Sequence, residues 1–385
     1  MFKRLLQIPS NLNQSFFLFG PRGVGKTSWI KKHFPSEFYF DLLNDDVYRE
    51  LLGRPTRLGE KITEGYSGWV VLDEVQKIPD ILNEVHRLIE SRKLKFILTG
   101  SSARSLRRRG VNLLAGRALT FYLHPLTAIE LGEHFDLVKS LRYGNLPMAV
   151  ISGQPKKYLQ SYIKTYLCEE VLQESLTRNI ALFARFLEIA SFSQGEILNY
   201  TEIAREMTSN RHTVSNYFDV LEDMLISYRL PVFRKRAKRD MITHPKFYFF
   251  DAGVYRFIRP QGILDSPAEI NGPALETLFL QEARAINDYF ELEYEFYYWR
   301  TRNQLEVDFV LYGNNGFCAF EIKRKEKPYS GDFIGLKEFK KDYPQARVYL
   351  LYNGNDDYLE GDVRVMPLQK AVRELPNLLN KYQLG

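Results

Sequence analysis

The chain has 385 residues, 45% hydrophobic and 26% charged, with a formal net charge of +6. That length exceeds one ordinary core and predicts two or three globular domains, which excludes a disordered or collagen-like chain, while the basic balance favours acidic partners. Two cysteines, Cys168 and Cys318, exclude a disulfide framework, and the lack of a membrane-length apolar run or an apolar leader points to a cytoplasmic protein with no membrane partner.

The first element is the apolar run at residues 15–19, which predicts a buried strand. Gly20, Pro21, Arg22, Gly23, Val24, Gly25, Lys26 and Thr27 follow it and match the phosphate-loop pattern G-x-x-x-x-G-K-[ST]. Ser28 then opens a predicted helix. Glycines let backbone N–H groups curl around phosphate oxygens, and the helix N-terminus adds positive dipole. Lys26 is placed to reach the β- and γ-phosphates, and Thr27 to offer its hydroxyl to Mg²⁺. ATP and Mg²⁺ are therefore the expected ligands.

A second apolar strand, residues 69–72, ends in Asp73 and Glu74. Ligands collect at the carboxyl ends of parallel strands. Asp73 is placed for Mg²⁺, and Glu74 to polarise a water in line with the γ-phosphate, which makes hydrolysis the expected reaction. Residues 80–91 predict a helix, and residues 95–99 and 119–123 predict two more strands. This alternation implies a parallel sheet covered on both faces. Thr99 and Ser101 either sense the γ-phosphate or serve ordinary turn chemistry. Arg117 either stabilises phosphoryl-transfer charge from a neighbouring copy, which requires a homo-oligomer, or is a surface arginine.

Two stretches, residues 104–117 and 233–239, each carry five basic residues and no acid. Either could track a phosphate backbone or be solvated surface. Residues 200–226 predict two helices around a turn, with Thr201 as the first cap and Val214, Phe218, Leu221 and Leu225 in one apolar stripe. Arg211, His212, Ser215 and Asn216 then stand where a helix-turn-helix reads DNA. Arg234, Lys235 and Arg236 would lie on a wing. Asp219, Glu222 and Asp223 on the same helix fit a protein contact instead.

Residues 306–312 and 317–323 alternate as two strands around a Gly-Asn-Asn-Gly turn. A two-residue loop sets Asp308 opposite Glu321, Glu306 opposite Lys323, and Val307, Phe309 and Leu311 opposite Ile322, Phe320 and Cys318. Facing carboxylates repel. A divalent cation held by Asp308 and Glu321, with Lys323 beside it and Glu276 upstream, would compensate and would suit a metal-dependent nuclease. A half-exposed hairpin salt-bridged by Lys323 fits the same residues.

The ordered set GPRGVGKT, WVVLDEVQKIP, FILTGSSAR, LLAGRA, RYGNLP, FYFFDAGVY, YWRTRNQLEVDFV and AFEIKRK resembles a prokaryotic family of AAA-type ATPases with a C-terminal domain of unknown function. The resemblance covers nearly the whole chain. It implies an α/β architecture: a P-loop parallel-sheet domain at residues 1–135, a helical and winged-helix region at 136–265, and a PD-(D/E)xK, restriction-endonuclease-like α/β domain at 266–385. By position it implies Lys26, Thr27, Asp73 and Glu74 as the ATPase set, Arg117 as a finger, and Asp308, Glu321 and Lys323 as the nuclease core, with Val307 where that core carries proline. The expected function is an ATPase acting on DNA with a nuclease-like end domain. The alternative is an ATP-dependent switch or scaffold that binds a protein partner.

Overall fold

A computed structural model describes residues 2–101, 114–167, 179–263 and 265–380. The run at 104–117 falls mostly outside them, as does Cys168. The chain divides into two compact units, the first Leu6–His124 with Val220–Ile226, the second Met1–Leu5, Pro125–Asp219 and Ser227–Gly385.

The first unit is built on five parallel strands: β1 (Ser15–Phe19), β2 (Phe38–Asp41), β3 (Trp69–Asp73), β4 (Lys95–Gly100) and β5 (Ala118–Tyr122). Their order is β2-β3-β4-β1-β5. β4 thus lies between the strand feeding the glycine loop and the strand ending in Asp73. Continuous apolar runs suit central parallel strands because both faces are covered. Phe17, Phe19, Val70, Leu72, Phe96 and Leu98 join one core with Leu82, Val85 and Leu88 of the helix Ile81–Arg92. Each such side chain contributes about 1.5–3 kcal/mol relative to exposure.

The helices Tyr200–Glu206 and Arg211–Asp223 stand where sequence periodicity puts them. The first is capped by Asn199, whose side chain accepts from Glu202 N at 3.2 Å, rather than by Thr201. Asn lies among the strongest caps, and it precedes Tyr200, the first helical residue. Two antiparallel strands follow, β6 (Ser227–Leu230) and β7 (Lys246–Phe249). The basic connection between them does not stand free. Phe233, 1% exposed, packs with Trp299, Val310 and Phe339, and the 233–239 run is laid along the C-terminal sheet.

That sheet has six strands in the order β12-β13-β11-β10-β9-β8. They are β8 (Glu295–Arg300), β9 (Glu306–Gly313), β10 (Gly316–Lys323), β11 (Arg347–Tyr352), β12 (Tyr358–Glu360) and β13 (Val363–Pro367). The β9–β10 hairpin adopts the register read from its turn, Tyr312 with Phe317, Leu311 with Cys318 and Phe309 with Phe320. It is not half-exposed, however. Phe309, Leu311, Phe320 and Ile322 enter one core with the helices Pro267–Tyr289 and Leu368–Leu379, while Val307, Val310 and Ala319 enter another with the helix Ile334–Asp342. β9 and β10 are central strands, so neither face meets water. Val307 leaves the predicted face because β9 bulges: Tyr297 pairs with Val310 and Trp299 with Val307, so Asp308 and Phe309 together oppose Tyr298. A bulge re-aims the side chain it carries.

Candidate functional site

The glycine loop leads from β1 into the helix Lys26–His33. Gly23 and Gly25 have φ of 84° and 97°, a region open to glycine at little cost. Lys26 is buried, and its Nζ donates to the carbonyls of Gly20 at 2.7 Å and Pro21 at 3.3 Å. Thr27 Oγ1 donates to Asp73 Oδ2 at 2.9 Å, so the hydroxyl and carboxylate expected to hold Mg²⁺ converge from two elements. The donor set fits that ion.

Two residues around this pair, Tyr39 and Gln76, were not legible as site residues. The Tyr39 hydroxyl on β2 donates to Asp73 Oδ2, and burial together with that carboxylate pushes its pKa far up. Gln76 Nε2 donates to Glu74 Oε2 at 2.5 Å and to Ser101 Oγ at 3.0 Å, which brings Ser101 into the same network. Thr99, whose sequence position suits either a sensor or a turn residue, ties both acids together: at the end of β4 it donates to Asp73 Oδ1 and accepts from Glu74 N at 3.1 Å. Glu74 itself sits at φ 62° and ψ 50°, a left-handed conformation that costs about 1–2 kcal/mol for a residue with a Cβ. Arg117 lies on the surface, paired through Nε with Glu90, and holds that carboxylate below its usual pKa.

The C-terminal candidates also come together. Asp308 and Glu321 are each 7% exposed; Asp308 Oδ2 accepts from Ile322 N at 2.8 Å, and Glu321 Oε2 accepts from Asp308 N at 3.4 Å. Lys323 Nζ lies 2.5 Å from Glu321 Oε1. Glu276 accepts from the Tyr248 hydroxyl at 2.7 Å. Lys246, at the start of β7 and 3% exposed, is an addition that sequence reasoning missed: its Nζ pairs with Glu306 and lies 3.8 Å from Asp308. Glu306 does not face Lys323 as the hairpin pattern predicts; it takes Lys246 and, at 3.0 Å, Arg300, because the bulge lies between it and the regular ladder. A charge at the head of an apolar run was the available signal for Lys246.

Burial, with the Asp308 charge beside each, pushes Glu276 and Glu321 up to about 8. Burial works against the charge of Lys246, but Glu276, Asp308 and Glu306 outweigh it and raise its pKa. Lys246 thus sets a second ammonium group, besides the expected Lys323, against these carboxylates. Among the described residues, no three His, Cys, Asp or Glu side chains are arranged to hold a metal ion.

Of the expected DNA contacts, Arg211, His212 and Asn216 are exposed and Ser215 half-buried; Asn216 Nδ2 lies 3.1 Å from His212 Nδ1. Arg234, Lys235 and Arg236 are exposed too. Arg234 donates to the Thr243 carbonyl at 3.2 Å, Lys235 pairs with Glu295 at 2.5 Å, and further along the run Arg239 binds Asp342 at 2.6 Å and Glu338 at 2.8 Å. Part of the run's charge is thus met by Glu295 of β8 and by two acids of the helix Ile334–Asp342. No helix among the described residues is long and apolar enough to cross a membrane.

Residues 12–132 match a family described as AAA domain. The match supports an AAA-type ATPase domain over these residues. Residues 134–262 match a domain of unknown function (DUF8612), and residues 271–371 another (DUF4143). An uncharacterized protein of Mycobacterium tuberculosis is 28% identical over 364 residues, covering 90% of this chain and 78% of the relative. An uncharacterized protein of Haemophilus influenzae is 24% identical over 206 residues, covering 49% of this chain and 52% of the relative. Among solved structures, the Aeropyrum pernix ORC1 protein in complex with DNA is 15% identical with a TM-score of 0.28, covering 66% of this chain and 87% of its own. Protein VC1899 of Vibrio cholerae is 12% identical with a TM-score of 0.22, covering 95% and 97%. At these scores neither overlay informs fold or function.

Proposed function

We propose that the AAA-type unit binds ATP with Mg²⁺ and hydrolyses it, and that the chain uses this cycle to act on DNA. The observation that carries the reading is the hydrogen bond between Thr27 and Asp73, with Glu74 next in the chain and fastened to Thr99. Lys26 exchanges its two carbonyl partners for phosphate oxygens. Thr27 and Asp73 would hold Mg²⁺, which when bound draws charge from the β- and γ-phosphates. Glu74 is the base that orients and polarises water. Gln76 holds the Glu74 carboxylate beside Ser101 until nucleotide rearranges the network. Arg117 acts on a neighbouring copy only once freed from Glu90.

Steady-state ATP hydrolysis with Mg²⁺, with and without single- and double-stranded DNA, tests this. Hydrolysis that rises with DNA and falls at least about 100-fold in Glu74→Gln supports it, since a positioned base contributes about that much or more. Hydrolysis that survives Lys26→Ala or Glu74→Gln refutes it.

A second reading, an ATP-dependent switch whose nuclease-like end domain binds a protein partner, is favoured by the lysine-compensated carboxylates. On this reading Lys246 and Lys323 answer the carboxylates, and no cleavage step is required of them. Mg²⁺-dependent DNA cleavage that disappears in Asp308→Asn would remove this reading. Hydrolysis indifferent to DNA, without cleavage, would establish it over the first.

A further inference from the structure

Three stretches have no role in the chemistry above: RYGNLP, the DAGVY end of FYFFDAGVY with the Arg256 that follows it, and the tail of AFEIKRK. The second unit brings them to one place. Gly144 and Gly253 join the first two by backbone contact. A Cβ on Gly253 would stand 2.2 Å from the Tyr143 carbonyl carbon, and one on Gly144 1.9 Å from Asp251 Oδ1. Asp251 is fully buried and locks the junction: Oδ2 accepts from Asn145 N at 2.8 Å and Oδ1 from Val254 N at 3.0 Å. The helices Leu137–Tyr143 and Ala252–Ile258 are therefore held rigidly side by side, and each carries an arginine, Arg142 and Arg256, to the same cavity.

The cavity has a volume of about 510 Å³. Arg324 and Lys325, directly after Lys323, reach it from the end of β10, and Asn271 and Asn353 add neutral polar groups. Glu326 is its one carboxylate. Lys325 is paired with Asp332 at 3.3 Å. Arg142, Arg256 and Arg324 have no carboxylate partner among the described residues; Arg256 donates to the neutral Asn271 Oδ1 at 2.6 Å. Burial, with the like charge of Arg142 nearby, pulls Arg256 below its ordinary pKa. Arg142 and Arg324 are exposed and Arg256 half-buried, so all three can reach an anion entering from solvent, with Glu326 the one carboxylate lining the cavity beside them. The cavity also borrows Leu275 from the helix that carries Glu276.

We propose that this cavity is a phosphate site, in which Arg142, Arg256 and Arg324 grip the phosphate groups of a nucleic-acid backbone beside the carboxylate–lysine cluster. Fork-shaped guanidinium groups match phosphate oxygens two at a time. The proposal rests on the DNA reading only for the source of the phosphate.

The test uses the full chain with Lys26→Ala, so that the glycine loop does not report. Pyrophosphate binding is followed by calorimetry and binding of a labelled DNA duplex by fluorescence anisotropy. Variants are the double substitution Arg142→Gln with Arg256→Gln, and Arg324→Gln alone, which keeps the test open if the double variant fails to fold. Arg302→Gln, an exposed arginine elsewhere, is the control. Pyrophosphate affinity falls at least about tenfold in the variants, as expected for removal of charge-assisted hydrogen bonds. DNA affinity falls about as far, and the slope of log K against log salt shrinks by about one for each phosphate no longer neutralised. A response to pyrophosphate alone upholds the phosphate site and assigns it to a free phosphorylated molecule, which counts against the DNA reading only. Folded variants that bind both probes as the parent does overturn the proposal.

Discussion

Replacing Lys246 by methionine tests whether lysine, rather than a metal ion, holds the carboxylate cluster together. Methionine keeps most of the apolar stem and removes the charge with its N–H donors. The side chain is 4% exposed, touches Glu306 and stands 3.8 Å from Asp308. A pair at that separation is worth about 4 kcal/mol at an effective dielectric of about 20. The cluster limits its loss by binding another proton. For a carboxyl of ordinary pKa, about 4.3, that costs about 1 kcal/mol at pH 5 and about 4 kcal/mol at pH 7. The direction follows from Glu276 and Glu321, pushed up to about 8. Acids raised in the folded state keep protons that the unfolded chain has released, so their contribution weakens as pH rises from about 4.5 to 8. Loss of Lys246 raises the cluster further. Urea unfolding of parent and Lys246→Met should therefore show a deficit of about 1 kcal/mol at pH 5 that grows to about 4 kcal/mol at pH 7. A deficit that does not change with pH, or one below about 1 kcal/mol at pH 8, refutes the reasoning.

Thr99→Val removes the hydroxyl shared by Asp73 and Glu74 N, leaving a buried carboxylate short of a donor. Hydrolysis should fall at least about tenfold while ATP affinity changes little, measured by steady-state rates and nucleotide binding. Unchanged hydrolysis would detach Thr99 from the site. Gly253→Ala drives a methyl to 2.2 Å from the Tyr143 carbonyl carbon. The cost should be at least about 1–3 kcal/mol, read as a lowered melting temperature. A parent-like melt would show that the junction yields.

The meeting of Thr27 with Asp73 was legible because the residues of the proposed nucleotide site are local in sequence. A glycine loop, a lysine and a threonine lie within eight consecutive residues, from Gly20 to Thr27, and the two acids end one apolar strand. The hairpin register was legible from the turn as far as Phe309 and Phe320, since a two-residue turn and alternating side chains leave one pairing. Which face of that hairpin meets water was not, because alternation describes a strand and not its neighbours. Strands β8 and β11 flank the hairpin, helices cover both sides, and the bulge at Asp308 depends on pairing with β8. The basic run at 233–239 read as a free wing because nothing in its composition reveals that Phe233 is buried or that Glu295, Glu338 and Asp342 await it.

By itself, the sequence determined the strand-and-loop elements, the glycine loop with its acids, and the carboxylate and lysine types at the C-terminal cluster. Each follows from backbone preference, side-chain period or chemistry within a few neighbouring residues. Tertiary structure alone decided what balances those carboxylates. Lys246 stands 62 positions before Asp308, and no periodicity links them. It likewise decided that Arg142, Arg256 and Arg324, from three separate segments, share one cavity. Charge compensation depends on distance in space, which only packing sets.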